Sequence, residues 1–293
     1  MFEEILFPTD GSEGAAFAFE HVLDLAARHD ATVHVLNVAD TTQDGLLEIR
    51  GDDVDALERE GDRIVREAAE RADEQGVETV TEVVRGEPYH EIVDYAERHG
   101  LELIVMPTHG RRGLERFLLG STSERVVRRA DVPVLTMRPD DDVTISHPYQ
   151  DVLVPTDGSE CANQALAIGV DVADAEDAAL HLLSVIAITA LGADARPDIR
   201  MEMLEESAHE LLDEAAAFAD DAGVDAASTA VEYGPSIHRA ILTYIDDHDI
   251  DLVVVGTHGR TGFDRYVLGS VTEYLVRTSP IPVLTVRAPV TDT

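Results

Sequence analysis

Residues 253–270 read VVVGTHGRTGFDRYVLGS and residues 104–121 read IVMPTHGRRGLERFLLGS, identical at ten of eighteen positions. The repetition extends well beyond this stretch. FPTDGSEGA at 7–15 returns as VPTDGSECA at 154–162, and DVPVLTMRP at 131–139 returns as PIPVLTVRA at 280–288. Asp10 matches Asp157 at an offset of 147, and Gly120 matches Gly269 at an offset of 149. A period of domain length means a duplicated domain, not a solenoid of short repeats. The chain of 293 residues gives each copy enough length for a core of its own. The expected domains are 1–139 and 150–293, joined by the polar, proline-containing DDVTISHPYQ at 140–149.

Each copy alternates strand and helix signals. In the first, EEILFPT is a short apolar run ending in a turn, and AAFAFEHVLDLAARH has helical spacing behind a cap candidate, Ser12. ATVHVLNV is β-branched. Residues 52–75 carry apolar positions at helical intervals among charges. VETVTEVV, PYHEIVDYAERH and ELIVM then read as strand, helix and buried strand, followed by the glycine-rich loop, a helix over about 121–129 and the strand VPVLTM. Continuous apolar strands alternating with helices imply an α/β class with a parallel sheet covered on both faces. Right-handed crossovers and one reversal of strand order give two tandem doubly wound open sheets. Each has its crevice at the carboxyl ends of the strands.

Charge narrows the function classes. Asp and Glu number 59 against 22 basic residues, a net charge of −37, and every basic residue other than histidine is arginine. The acids scatter over helices instead of clustering at metal-ligand spacing, so they read as a solvated surface. Such a surface disfavours sequence-independent binding to nucleic acid or anionic membranes. It suits a halophilic cytoplasm, where the screening length is about 3 Å. The denaturation midpoint is therefore expected to fall as molar salt is reduced to low-millimolar levels; a flat midpoint would remove the halophilic reading. The start MFEEILFPTDGS has neither a basic region nor an apolar signal core, which gives the expectation of a cytoplasmic protein. The missing lysine excludes a P-loop, a kinase of the usual pattern and Schiff-base chemistry. With a single cysteine, Cys161, the chain has no intrachain disulfide and no cysteine-cluster metal site. No catalytic residue or protein metal ligand set is assigned.

Two loops per copy should meet at the crevice. P-T-D-G-S occupies 8–12 and 155–159, and the glycine-rich loop runs into a helix near Ser121 and Ser270. Backbone N–H groups at a helix N-terminus welcome phosphate, and glycines let the backbone approach it closely. Ser121 and Ser270 can cap their helices or donate to phosphate oxygen. Asp10 and Asp157 read equally well as turn formers before glycine or as acceptors for ribose and adenine donors.

These motifs resemble the universal stress protein A family in its tandem two-domain form, over both copies almost end to end. The most specific part is G-x2-G-x9-G-[ST], which the second copy matches at Gly256, Gly259, Gly269 and Ser270. The first copy matches at Gly110, Gly120 and Ser121, with Pro107 in place of the first glycine. The resemblance implies an adenine nucleotide alpha hydrolase-like fold with strand order 3-2-1-4-5, the last strands of the two copies pairing within the chain. It implies binding of ATP, or ADP or AMP, with Mg2+ in stress response or signalling, with little turnover. Asp10 and Asp157, with Pro8, Thr9, Pro155 and Thr156 beside them, would lie near adenine and ribose, and Val38 and Val185 would line the adenine. Gly110, Arg111, Gly120, Ser121 and Thr122 in the first copy, and Gly256, Gly259, Arg260, Gly269, Ser270, Val271 and Thr272 in the second, would hold ribose and phosphates. A further homo-oligomer and an unidentified protein partner are compatible with this reading. The rival is a nucleotide-free interaction module whose glycine loops are structural.

Pro107 has no N–H and a fixed φ, so a positive-φ glycine conformation could not be copied there, and the first site is expected to be weaker. Arg111 and Arg112 offer compensating charge. His109 and His258 read as loop packing beside the nucleotide, Tyr95 and Tyr244 as core. Cys161 reads as incidental, since Gly14 takes its place in the first copy.

Overall fold

The structure is a computed structural model that describes residues 1–41, 51–110, 119–139, 145–188, 197–224, 226–259 and 268–288. It divides into two compact units, Met1–His147 and Pro148–Thr293. Unit one runs β1 (Glu4–Pro8), α1 (Glu13–His29), β2 (Thr32–Asp40), α2 (Gly51–Glu74), β3 (Thr79–Gly86), α3 (Pro88–His99), β4 (Leu103–Pro107), α4 (Ser121–Arg129) and β5 (Val134–Met137). Unit two repeats the order with β6 (Asp151–Pro155), α5 (Glu160–Glu176), β7 (Ala179–Ala187), α6 (Pro197–Asp221), β8 (Ala226–Gly234), α7 (Ile237–Asp247), β9 (Leu252–Gly256), α8 (Ser270–Thr278) and β10 (Val283–Val286).

All strand pairs within a unit are parallel, in the order β3-β2-β1-β4-β5 in unit one and β8-β7-β6-β9-β10 in unit two. The inner strands are the most apolar because helices cover both their faces. Every residue of β4 and of β9 is buried. Phe7 of β1 stacks on Phe19 of α1 with ring centroids 4.8 Å apart, and Val22, Leu23 and Ala26 continue that helix face into the core. Burying a side chain of this size contributes roughly 1.5–3 kcal/mol. Ser12 and Ser159 cap α1 and α5 through bonds from Ala15 N–H (3.2 Å) and Ala162 N–H (3.3 Å). Pro88 opens α3, and Gly100 closes it at φ 64°. No helix among the described residues is long and apolar enough to cross a membrane.

The reversal of strand order lies between β1 and β4, and between β6 and β9. These neighbours pair briefly: Ile5↔Leu103 and Leu6↔Ile104 in one unit, Val152↔Leu252 and Leu153↔Val253 in the other. Beyond those residues the strands part, and a crevice opens at their carboxyl ends. Pro8, Thr9, Pro155 and Thr156 lie at this end of β1 and β6.

Tyr95 and Tyr244 are core residues, as expected, with 1% and 3% exposure. Each belongs to a polar cluster that the sequence does not announce. His34 Nδ1 lies 3.0 Å from Tyr95 Oη and its Nε2 3.0 Å from Glu4 Oε2. In unit two, His181 meets Tyr244 at 3.1 Å and Asp151 at 3.0 Å. Burial, assisted by nearby Glu82, pushes the Tyr95 hydroxyl up to about 12. A raised phenol pKa contributes stability in full below the unfolded value near 10 and loses it as pH climbs towards 12. Over that range the wild type is expected to lose more stability than Tyr95→Phe does. Denaturant midpoints of both proteins on either side of the window measure this; parallel pH profiles would contradict it.

Candidate functional site

The turn after β1 is built by side chains locking their own backbone. Thr9 N–H donates to Leu36 O (2.9 Å), holding the strand end on β2. Gly11 N–H donates to Thr9 Oγ1 (3.2 Å), and Ser12 N–H to Asp10 Oδ1 (3.0 Å). Unit two reproduces both bonds on Thr156 and Asp157, at 3.2 Å and 3.0 Å. Gly11 and Gly158 sit at φ 72° and 73°, the one place in this turn where glycine is required for its left-handed backbone. One carboxylate oxygen of each Asp is thus a turn acceptor. The other faces the second loop: a Cβ on Gly110 would overlap Asp10 Oδ2, and one on Gly259 would lie 2.7 Å from Asp157 Oδ2. These glycines are needed for close approach between the loops.

The second loop returns on itself before its helix. Gly120 N–H donates to Thr108 O and Gly269 N–H to Thr257 O, both at 2.8 Å. A Cβ on either glycine would stand 3.1 Å from that carbonyl. Gly120 and Gly269 are the N-caps of α4 and α8, and neither cap supplies a side-chain bond. The expected capping role of Ser121 and Ser270 is therefore corrected: each is the first helical residue and is exposed. Because the chain reaches the helix in the extended conformation at glycine, the first-turn N–H groups receive no side-chain cap and carry the positive end of the helix dipole. Thr122 and Val271 are half-buried on the same turn. Thr272 is buried, and its hydroxyl donates to Gly256 O (2.7 Å), tying α8 to the end of β9. Its counterpart is Ser123, which donates to Pro107 O (2.9 Å) and which sequence reasoning missed.

Val38 and Val185 sit beyond the last paired residues of β1 and β6. Leu36 and Leu183 turn their carbonyls towards Thr9 and Thr156. Residues two further along a strand face the same side, so the main-chain groups of Val38 and Val185 point past the end of the inner strand into the crevice. His109 and His258 sit in the second loop with Nδ1 at 2.7 Å and 3.0 Å from the hydroxyls of Thr108 and Thr257. Burial holds the His109 imidazole below its ordinary value, so it is neutral at pH 7. Arg111, Arg112 and Arg260 lie outside the described residues.

The crevice, its Asp-bearing turn and its glycine-closed loop thus occur once per unit. The family model of the universal stress protein family matches residues 1–138 and again 148–287. The chain belongs to the universal stress protein family. The universal stress protein MJ0531 of Methanocaldococcus jannaschii is 38% identical over 144 residues, covering 47% of this chain and 83% of that protein. Universal stress protein Mb2028c of Mycobacterium bovis is 29% identical over 235 residues, 78% of each chain. A universal stress protein from Archaeoglobus fulgidus superposes with a TM-score of 0.76 at 25% identity, covering 99% of this chain and 100% of that one.

In this universal stress protein the glycine at 256 has a packing explanation. Gly256 is not among the positive-φ glycines, so the expectation of a left-handed backbone there is corrected. It ends an ordinary strand, paired with Val286 as Pro107 is with Met137. What Gly256 avoids is contact: a Cβ would lie 2.8 Å from both the carbonyl carbon and Cβ of Cys161. The main chain and Cβ of residue 161 exclude a side chain at 256, a contact that does not depend on the thiol. At the matching place in unit one stands Gly14, where a Cβ would meet His109 O at 2.9 Å and Pro139 Cγ at 3.1 Å. That proline is Pro139, beyond the end of β5, and not Pro107.

Proposed function

We propose that each unit binds an adenine nucleotide, ATP first and ADP or AMP as alternatives, with Mg2+ on the phosphates, and that binding without rapid turnover serves stress response or signalling. The observation that carries this is the convergence, in each crevice, of one Asp carboxylate, a glycine-closed loop and a helix N-terminus with no side-chain cap. Glycines whose Cβ would strike the Asp carboxylate or a loop carbonyl make a cradle of bare backbone, which suits a ribose and its phosphates. Main-chain groups of Val38 and Val185 would meet the adenine edge. Asp10 and Asp157 would accept from ribose. N–H groups of Gly110, Ser121, Thr122, Gly259, Ser270, Val271 and Thr272 would hold phosphates, with Gly120 and Gly269 shaping the loop that presents them. The charge of the nucleotide would be carried by Mg2+ and backbone dipoles, with Arg111 and Arg260 as the cationic side chains of the glycine loops, in keeping with a lysine-free chain. The test is nucleotide released by denaturing the purified protein, identified and counted per chain, together with calorimetry using Mg-ATP. Nucleotide at up to two per chain supports the reading. No nucleotide and no heat would leave the interaction-module reading in its place.

A further inference from the structure

Gly61 stands in the middle of α2, where glycine weakens a helix relative to alanine. Its reason is Asn37. A Cβ at 61 would lie 2.5 Å from Asn37 Oδ1 and 2.8 Å from Val83 Cγ1. Asn37 is 7% exposed and donates through Nδ2 to Thr9 O at 2.8 Å. Thr9 therefore carries two bonds to β2, its N–H to Leu36 O and its carbonyl from Asn37. The second falls on the residue immediately before Asp10, and it comes from the residue immediately before Val38. Asn37 thus braces the two strand ends that flank the crevice.

Unit two is built differently at both positions. At the offset of 147 that relates Asp10 to Asp157, Asn37 becomes Ser184 and Gly61 becomes Ala208, both buried. Thr156 keeps its N–H bond to Leu183 O at 2.8 Å, but among the described residues Ser184 gives its carbonyl no second bond. The side chain shrinks on the strand and grows on the helix, so the two changes conserve volume as a pair.

We propose that Asn37, seated by Gly61, is a positioning residue that fixes the Thr9–Asp10 turn of unit one for its ligand, and that unit two lacks this brace. The proposal rests on the nucleotide reading only for what the turn presents its carboxylate to. An ordered turn loses less entropy when a ligand binds it, which offsets part of the donor that Pro107 removes.

The test uses the full chain and transplants the unit-two pair. Gly61→Ala alone should lower the melting temperature, because the added methyl meets Asn37. Asn37→Ser with Gly61→Ala should recover the part of that loss due to Asn37, with the contact to Val83 Cγ1 left to be relieved by a small shift of that side chain. In that double variant the Gly11 and Ser12 amides are expected to exchange about three- to tenfold faster, the worth of one neutral hydrogen bond. The weaker calorimetric step for Mg-ATP is expected to weaken by the same factor. The reciprocal pair, Ser184→Asn with Ala208→Gly, should slow exchange at Gly158 and Ser159. A merely structural Asn37 would give the same recovery of melting temperature with wild-type exchange at Gly11 and Ser12, and that result overturns the proposal. Faster exchange with an unchanged weak step overturns it too. If the wild-type chain takes up no nucleotide, the nucleotide reading falls, and the exchange arm alone decides whether Asn37 positions the turn.

Discussion

Mg-ATP titrated into the full chain is expected to bind in two steps, the tighter in the unit that carries Gly256, separated by about ten- to a hundredfold in affinity. The reason is one backbone donor. On β9, Val253 N–H donates to Pro282 O and Thr257 N–H to Val286 O, so the odd positions face β10. Gly256 faces the other way, towards β6, where the strands have already parted. Its N–H points into the crevice. On β4, Ile104 and Thr108 make the matching bonds to Pro133 O and Met137 O, so Pro107 faces the crevice with no N–H at all. The sheet loses nothing by this exchange, but a phosphate would lose a donor. A hydrogen bond to a charged group is worth roughly 1.5–3 kcal/mol, more than the neutral bond that Asn37 adds in unit one. Pro107→Gly should therefore narrow the gap between the two steps. Two indistinguishable sites by calorimetry, in the wild type, would show that Pro107 is tolerated without cost and that the ligand does not use this donor.

Why the first motif glycine is glycine could not be read from the chain. The alternation of apolar runs and helical spacing gave the element order, because burial on both faces of a parallel sheet leaves that pattern in the residues. The doubled P-T-D-G-S and glycine motifs located the crevice for the same reason: turn chemistry is local. The Asp-Gly pair carries the φ 72° of Gly11 in its own sequence. Gly256, by contrast, answers to Cys161 on another element 95 residues earlier in the chain. Gly61 answers to Asn37, and Ser123 to the carbonyl of Pro107. Such pairs meet only after folding. An isolated glycine inside the charged helix pattern of 52–75 was the available signal for the second of them. The cap was misplaced by one residue because serine is the stronger cap by propensity, whereas here glycine accepts the extended conformation at φ −61°, ψ 141° before the helix starts.

Asp10 and Asp157 are expected to separate their two roles under substitution. Asparagine keeps an oxygen that can accept from Ser12 or Ser159 N–H, now at 3.0 Å in each unit, so the turn survives. Alanine removes turn acceptor and charge together. The variant with both Asp→Asn changes should melt near the wild type without nucleotide, whereas the variant with both Asp→Ala changes should lose about 1 kcal/mol per turn bond. In their response to nucleotide the two should agree. At a hundredfold excess over Kd, binding stabilises the native state by about 2.7 kcal/mol. Loss of a charged acceptor for the ribose lowers affinity about ten- to a hundredfold, which removes about half to most of that gain at the same concentration. Both variants are thus expected to show a smaller thermal shift with Mg-ATP at concentrations that shift the wild type by several degrees. If the asparagine variant keeps the full shift while the alanine variant loses stability, the carboxylate only shapes the turn. The ligand would then be held by backbone alone, on the first-turn N–H groups of α4 and α8 that no side chain caps.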